Sequence, residues 1–277
     1  MARLTGGRRG PSKSGRRSES RLYHLLGQVA SAGYGDALRA LVLHEGYDVQ
    51  DYGAMTWGIP ETPRRRPPSG ACVFVAARAT QRVRRWQKIL RGKLSTANKR
   101  RNSFKSSRLA GGGLEPAALG GSQYLEHECG DIPNRSLGMS FLAVVLDANG
   151  EPIGYCWFTV FWEAARFREP GEEETVRVSV NEVWGEPIRR GQRLSQWLAL
   201  AVVETVVESM QQLSDLETNV READSVFLDL EINGEACSTS GAGFLHLCRR
   251  EYEMRYDNLG GPSFVQAPGA RTYVEFR

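Results

Sequence analysis

The chain has 277 residues, 41% of them hydrophobic and 25% charged, with a mean hydropathy of −0.40 and a formal net charge of +4. These values exclude a membrane-embedded bundle, a collagen-like repeat and a wholly disordered chain, and the length suits one or two domains. Five cysteines with no CxxC pair argue against a disulfide framework or zinc ribbon, and a basic N-terminus without an apolar stretch argues against a secretory signal, so a reducing, cytoplasmic setting is expected.

The small net charge conceals a partition. Residues 1–108 hold 23 Lys/Arg against 6 Asp/Glu, a balance of +17, while residues 109–277 hold 13 against 26, a balance of −13. A basic half joined to an acidic body suggests an anionic partner for the former.

In chain order, residues 1–20 are Arg, Gly and Ser with little to bury, which predicts a disordered basic tail. Leu22, Leu25, Leu26 and Val29, then Leu38, Leu41 and Val42, recur at helical spacing, so residues 21–69 are expected to form a helical and loop extension. It closes on a Pro-rich basic loop carrying Arg64, Arg65 and Arg66. CVFVAARA is a strand candidate. From Gln81 to Lys93, Val83, Trp86 and Leu90 share one helical face while Arg84, Arg85 and Lys88 fall on others. A flexible KRRNSFKSSR, with Lys99, Arg100 and Arg101 at its approach, ends the basic region near Arg108. Lys/Arg contacts to phosphates bind nucleic acid without sequence preference, so these cations are candidates for a DNA or RNA surface, with Trp86 and Phe104 available for stacking on bases.

FLAVVL, DANGEP and IGYCWFTVFW predict a β-hairpin with Asn149-Gly150 at its turn. His127-Glu128-Cys129 is expected in a loop, and without a second ligand pair it does not predict a metal site. TVRVSVNEVW alternates as a strand. Leu194, Trp197, Leu198, Ala201, Val202, Val206, Met210 and Leu213 mark an amphipathic helix of about 20 residues. A strand (SVFLDLEI), a helix (GFLHLCRREYEMRY) and a last strand (RTYVEF) follow. The order β-β-β-α-β-α-β predicts an α/β or α+β sheet with helices packed on it.

The junction between VSVNEVW and the long helix carries the most chemistry. A helix start exposes unpaired N–H groups and a partial positive charge, and Gly191 admits a ligand close to the backbone. Arg189, Arg190 and Arg193 add cations, so the junction is a candidate pyrophosphate cradle.

PIRRGQRLS, from Pro187 to Ser195, between a strand and an amphipathic helix, resembles the acetyl-CoA-binding motif of the GNAT superfamily of N-acetyltransferases. Arg193 stands where that pattern has its middle glycine, and Ser195 stands at its last small residue. SVFLDLEING, with Asn233 and Ala236, is similar to the family's fifth strand and its Asn-x-x-Ala start. The resemblance spans roughly residues 70–277, which would form the acyltransferase domain: a GNAT-like mixed central sheet flanked by helices, behind a basic, partly disordered N-terminal extension.

It implies an acetyl-CoA or other acyl-CoA donor held by Arg190, Gly191, Gln192, Arg193, Leu194 and Ser195. Val180 to Val183 would line the donor's arm, and Asn233 would stand nearby. It further implies acyl transfer to an amine, with Glu182 as candidate base and Tyr252 as candidate acid; Cys248 is a lesser alternative to Tyr252. The basic half suggests an acceptor on, or bound to, nucleic acid. A DNA base-modifying enzyme resembling the phage Mom proteins and a non-catalytic binding protein on the same scaffold are the alternatives.

Overall fold

The computed structural model describes residues 18–31, 71–76, 81–101, 122–129, 132–168, 174–189, 192–215, 226–236, 239–256, 265–266 and 270–276. Its elements are β1 (Ser18–Glu19), α1 (Arg21–Ser31), β2 (Cys72–Ala76), α2 (Gln81–Arg101), β3 (Ser122–Cys129), β4 (Ile132–Leu146) and β5 (Pro152–Ala165). They continue with β6 (Phe167–Arg168), β7 (Glu174–Gly185), a 3-10 turn (Pro187–Arg189), α3 (Leu194–Asp215), β8 (Val226–Ala236), α4 (Thr239–Tyr256), β9 (Val265–Gln266) and β10 (Ala270–Phe276).

The main sheet is mixed, in the order β10-β8-β7-β5-β4-β2, with β3 added beside β4 and β9 beside β8. β2, β4, β5 and β7 pair antiparallel; β7, β8 and β10 pair parallel. The turn that joins β4 to β5 is closed by Asp147, whose carboxylate accepts the amides of Asn149 and Glu151, while Gly150 takes a φ of 76° that a side chain would resist.

Helices cover the two faces unequally. α1, α3 and α4 seal one face over Phe141, Phe158, Val178 and Ile232. On the other, α2 covers only the β2-β4-β5 side, burying Val83, Trp86, Leu90 and Leu94 against Leu142, Val144 and Tyr155. This explains why β4 and β5 are apolar on both faces, whereas β7, β8 and β10 are apolar on one.

Four expectations need correction. Ser18–Ser20 belong to the fold, not to the basic tail: Ser18 and Glu19 pair with Arg168 and Phe167. Ser20 caps α1 by accepting the Tyr23 amide and donates its hydroxyl to Glu174. The boundary between residues 69 and 70 does not isolate α1, because Leu22, Leu25 and Leu26 are fully buried in the sheet's own core. α2 runs on to Arg101, so Lys99, Arg100 and Arg101, the first three residues of the segment taken as flexible, are helical; no Gly or Pro interrupts the helix after Gly92. His127 to Cys129 lie on strand β3, not in a loop.

The second expected N-terminal helix, Arg64 to Arg66 and Phe104 lie outside the described residues. No helix among the described residues is long and apolar enough to cross a membrane.

Glu204, on α3, is buried and meets Arg255 of α4 at 3.1 Å. Burial pushes its carboxyl up to about 8; Arg255 counteracts and Glu208 adds to the rise. A folded-state value above the unfolded one favours the protonated, folded form. That stability is complete below about pH 4.5 and is lost as pH climbs toward 8. Urea unfolding at successive pH values should show the wild type weakening across this window relative to Glu204→Gln, by up to about 1.4 kcal/mol per pH unit.

Candidate functional site

Alternation places Val176, Val178 and Val180 of β7 in the core and Arg177 and Ser179 on the opposite face. Simple alternation would then send Glu182 into the core. It does not, because the register against β5 shifts: Phe158 faces Val180 but Trp157 faces Glu182, leaving Asn181 as an extra residue. This β-bulge is tied down by the Asn181 side-chain amide, which donates to Thr159 Oγ1 at 3.0 Å. Beyond it Val183 packs on the α3–α4 side, and Trp184 on the side of α2 and Tyr155. Bulges of this kind re-aim side chains beside binding sites.

The bulge coincides with the end of the β7–β8 ladder. The parallel pairing runs from Glu174–Leu228 to Val180–Gly234 and stops. β7 then continues to Gly185 paired only with β5, and β8 continues to Ala236 paired only with β10. Two adjacent parallel strands part at their C-terminal ends, leaving an interior stretch of strand edge without a described neighbour. Gly234 permits the last contact: a Cβ there would stand 2.9 Å from the Val180 carbonyl oxygen and 3.2 Å from Leu245. A cavity of about 550 Å³ opens at the fork, lined among others by Ser179, Val180, Asn181, Asn233 and Tyr273.

Glu182 stands one residue past the bulge. The Tyr155 hydroxyl lies beside its carboxylate, and burial first and that carboxylate second hold the phenol well above its ordinary range. Tyr155 is fully buried and its ring stacks on Trp184 at 6.1 Å. Sequence reasoning missed Tyr155, because only the register that pairs Tyr155 with Trp184 brings it beside the residues after the bulge.

At the end of β7 the 3-10 turn delivers the chain to α3. Arg190 and Gly191 lie outside the described residues. Gln192 is half-buried, and its side-chain oxygen helps line a second cavity of about 600 Å³ with Lys93, Glu186 and Ile188. Arg193 adopts a φ of 58°, the left-handed region that favours glycine, and its carbonyl accepts the Gln196 amide as the helix begins. Arg193 therefore holds a conformation that suits glycine, at a cost of about 1–2 kcal/mol. Leu194 is buried against Gly154 and Gly185 and fixes the helix start, while Ser195 is exposed on its first turn. Arg189 is not free for a ligand: it meets Asp147 at 3.6 Å and Glu186 at 3.8 Å.

The other sequence candidates separate. Val180 is a core residue whose backbone abuts Gly234, and Val183 packs at the edge of the core. Asn233 lines the fork cavity and accepts the Ser179 hydroxyl at 2.7 Å. Tyr252 is not brought to the fork. It is fully buried, with its hydroxyl toward Met210 Sδ on α3 at 3.7 Å. Cys248 is likewise a core thiol, pushed above its ordinary range by burial.

On α2, Arg84, Arg85 and Lys88 are exposed, and Lys99, Arg100 and Arg101 occupy its last turn. Trp86 is not available for stacking on bases: it is buried edge-on to Phe74 at 4.7 Å, under the guanidinium of Arg82.

Comparison with protein-family models, with curated proteins and with solved structures returned no match for the chain.

The left-handed residue gives a direct check. Arg193→Gly should unfold at an equal or higher urea concentration than the wild type, whereas Arg193→Val, β-branched at positive φ, should lose a further ~1–2 kcal/mol. Equal destabilisation by both substitutions would mean that Arg193 is not held in this conformation.

Proposed function

We propose that the chain is an acyltransferase of GNAT type that moves an acyl group from a CoA thioester to an amine. The observation that carries this reading is the fork: two parallel strands that part directly after a bulge, with a cavity at the parting and a helix starting where one strand ends. The β7 edge from Asn181 to Gly185, past the end of the β7–β8 ladder, suits an extended, amide-bearing arm. The first turn of α3, with the exposed Arg193 and Ser195, suits phosphates at the arm's far end. Arg190 and Gly191 of the same motif join this proposal on sequence alone.

The donor supplies an activated carbonyl with a thiolate leaving group. The chain's own part is to bring a neutral amine to it. Glu182, lifted out of the core by the bulge, is the group we assign to take the proton that an ammonium must lose before its nitrogen can attack. The amine nitrogen forms the C–N bond as the C–S bond breaks, and the departing sulfur takes up a proton. Tyr155, kept protonated by burial and by the Glu182 carboxylate, replaces Tyr252 as the candidate to hold or return a proton.

A specific observation favours a nucleic-acid partner as a second element of the function. α2 contains nine Lys/Arg and no Asp/Glu in its 21 residues, QRVRRWQKILRGKLSTANKRR. Its apolar stripe is spent on the sheet, so Arg84, Arg85 and Lys88 project outward. Such a face fits a phosphate backbone. The cytoplasmic setting and the acyl-CoA donor belong to the same proposal.

Calorimetry of the full chain with acetyl-CoA and with CoA should show binding of both, and Glu182→Gln should retain binding while turnover of an acceptor amine falls by roughly 10²–10⁴-fold. Absence of binding of either molecule overturns the donor site. In gel shift with a generic duplex, Arg84→Glu/Arg85→Glu/Lys88→Glu should weaken binding and lower the log–log salt slope by roughly 2–3, since each lost phosphate contact removes about 0.9. A wild-type chain that leaves the duplex unshifted at low salt removes the nucleic-acid element.

A further inference from the structure

The bulge that presents Glu182 is fixed at both ends but not in its middle. On one side Val180 is held opposite Phe158, both in the core. On the other, Gly185 is held opposite Gly154, where Leu194 Cδ1 stands 3.6 Å from the place a Cβ would take on either glycine. Between these anchors β7 has four residues, Asn181 to Trp184, and β5 has three, Tyr155 to Trp157. One residue of β7 must therefore be extra, and the count does not say which.

The choice decides the chemistry. With Asn181 extra, Glu182 stands opposite Trp157 and Val183 opposite Cys156. Were Val183 or Trp184 the extra residue, strand alternation would put Asn181 opposite Trp157 and Glu182 opposite Cys156, which is fully buried in the core. Glu182 itself as the extra residue would likewise hand the place opposite Trp157 to Asn181.

A hydroxyl stands where it can make this choice. Asn181 donates its side-chain amide to Thr159 Oγ1 at 3.0 Å. Thr159 lies two residues along β5 from Trp157, so on the same face, and its register partners are Ser179 of β7 and Ser140 of β4. It is 8% exposed, and its oxygen stands 3.1 Å from Ser140 Oγ. A hydroxyl carries one proton and two lone pairs, so Thr159 can accept from Asn181 and still give its proton to Ser140. The bond ties Asn181 to the level of Ser179, one rung short of Trp157, and leaves that rung to Glu182.

We infer that Thr159 is a positioning residue for Glu182: its hydroxyl, backed by Ser140, selects Asn181 as the extra residue of the bulge and so assigns the carboxylate to the face of Tyr155. Thr159 acts through Asn181 and not on a reacting atom. The consequence for catalysis rests on the acyl-transfer reading; the choice of the extra residue does not.

Valine is the matching substitution, since it keeps the branched shape that suits a strand and removes the hydroxyl. In crystal structures of the full chain, Thr159→Val should change the extra residue of β7 and take Glu182 away from Tyr155, whereas Thr159→Ser should keep the wild-type arrangement. Turnover of an acceptor amine should fall by roughly tenfold or more in Thr159→Val and stay within about twofold of the wild type in Thr159→Ser. If Thr159→Val does not fold, Asn181→Leu, which removes the other end of the bond, takes its place with the same expectation. Asn181 still extra and Glu182 still beside Tyr155 in the valine variant overturns the inference, as does the same displacement in both Thr159 variants. The two proposals fail separately. A displaced Glu182 with turnover unchanged sinks the assignment of Glu182 as base alone, and a wild type that binds no CoA sinks the donor reading alone, because the crystal structures decide the bulge without either.

Discussion

The ladder between β7 and β8 ends at Val180 and Gly234, and the rest of the molecule's chemistry depends on that ending. A parallel pair inside a sheet ordinarily satisfies every backbone group along its length. Here one strand gains a residue at Asn181 and turns its edge away, while the other leans toward β10. Gly234 makes the last contact tight enough to hold the two strands together up to the fork, and the bulge makes it impossible to continue.

The same bulge decides the side-chain chemistry. It moves Glu182 from the face sealed by α3 and α4 to the face of Tyr155 and Trp184, and returns Val183 to the core. One extra residue thus converts what alternation would bury as a lone carboxylate into a carboxylate beside a protonated phenol. Four residues further along the same strand, Leu194 seats the start of α3 against Gly154 and Gly185.

The charge partition becomes spatial in the fold. The basic excess within the described residues is concentrated on the outer surface of α2, whose inner surface is spent on the β2-β4-β5 half of the sheet. The acidic excess includes Glu231, Glu235 and Glu275 on the uncovered β8-β10 half of the same face. Two neighbouring surfaces of opposite sign thus share one face of the sheet. A chain of small net charge can keep both because each is presented by a separate element.

The amino-acid sequence by itself determined the order of the main elements from β4 to β10, the hairpin at Asn149-Gly150, the long helix from Leu194 and the basic character of α2, since these depend on periodicity, turn chemistry and composition within short windows. It marked the Pro187–Ser195 junction for the same reason. What only the tertiary structure decided is which residues meet there. The bulge at Asn181 is set by pairing with β5, so a local pattern could not show that Glu182 leaves the core or that Tyr155 would join it. The burial of Tyr252 and Trp86 followed from which helix face met the sheet, and the bond from the Ser20 hydroxyl to Glu174 joins residues 154 apart. The cross-strand pairing of Glu235 with Glu275 belongs to the same class. Register between distant segments is fixed by the global packing of both faces, and no window of sequence contains it.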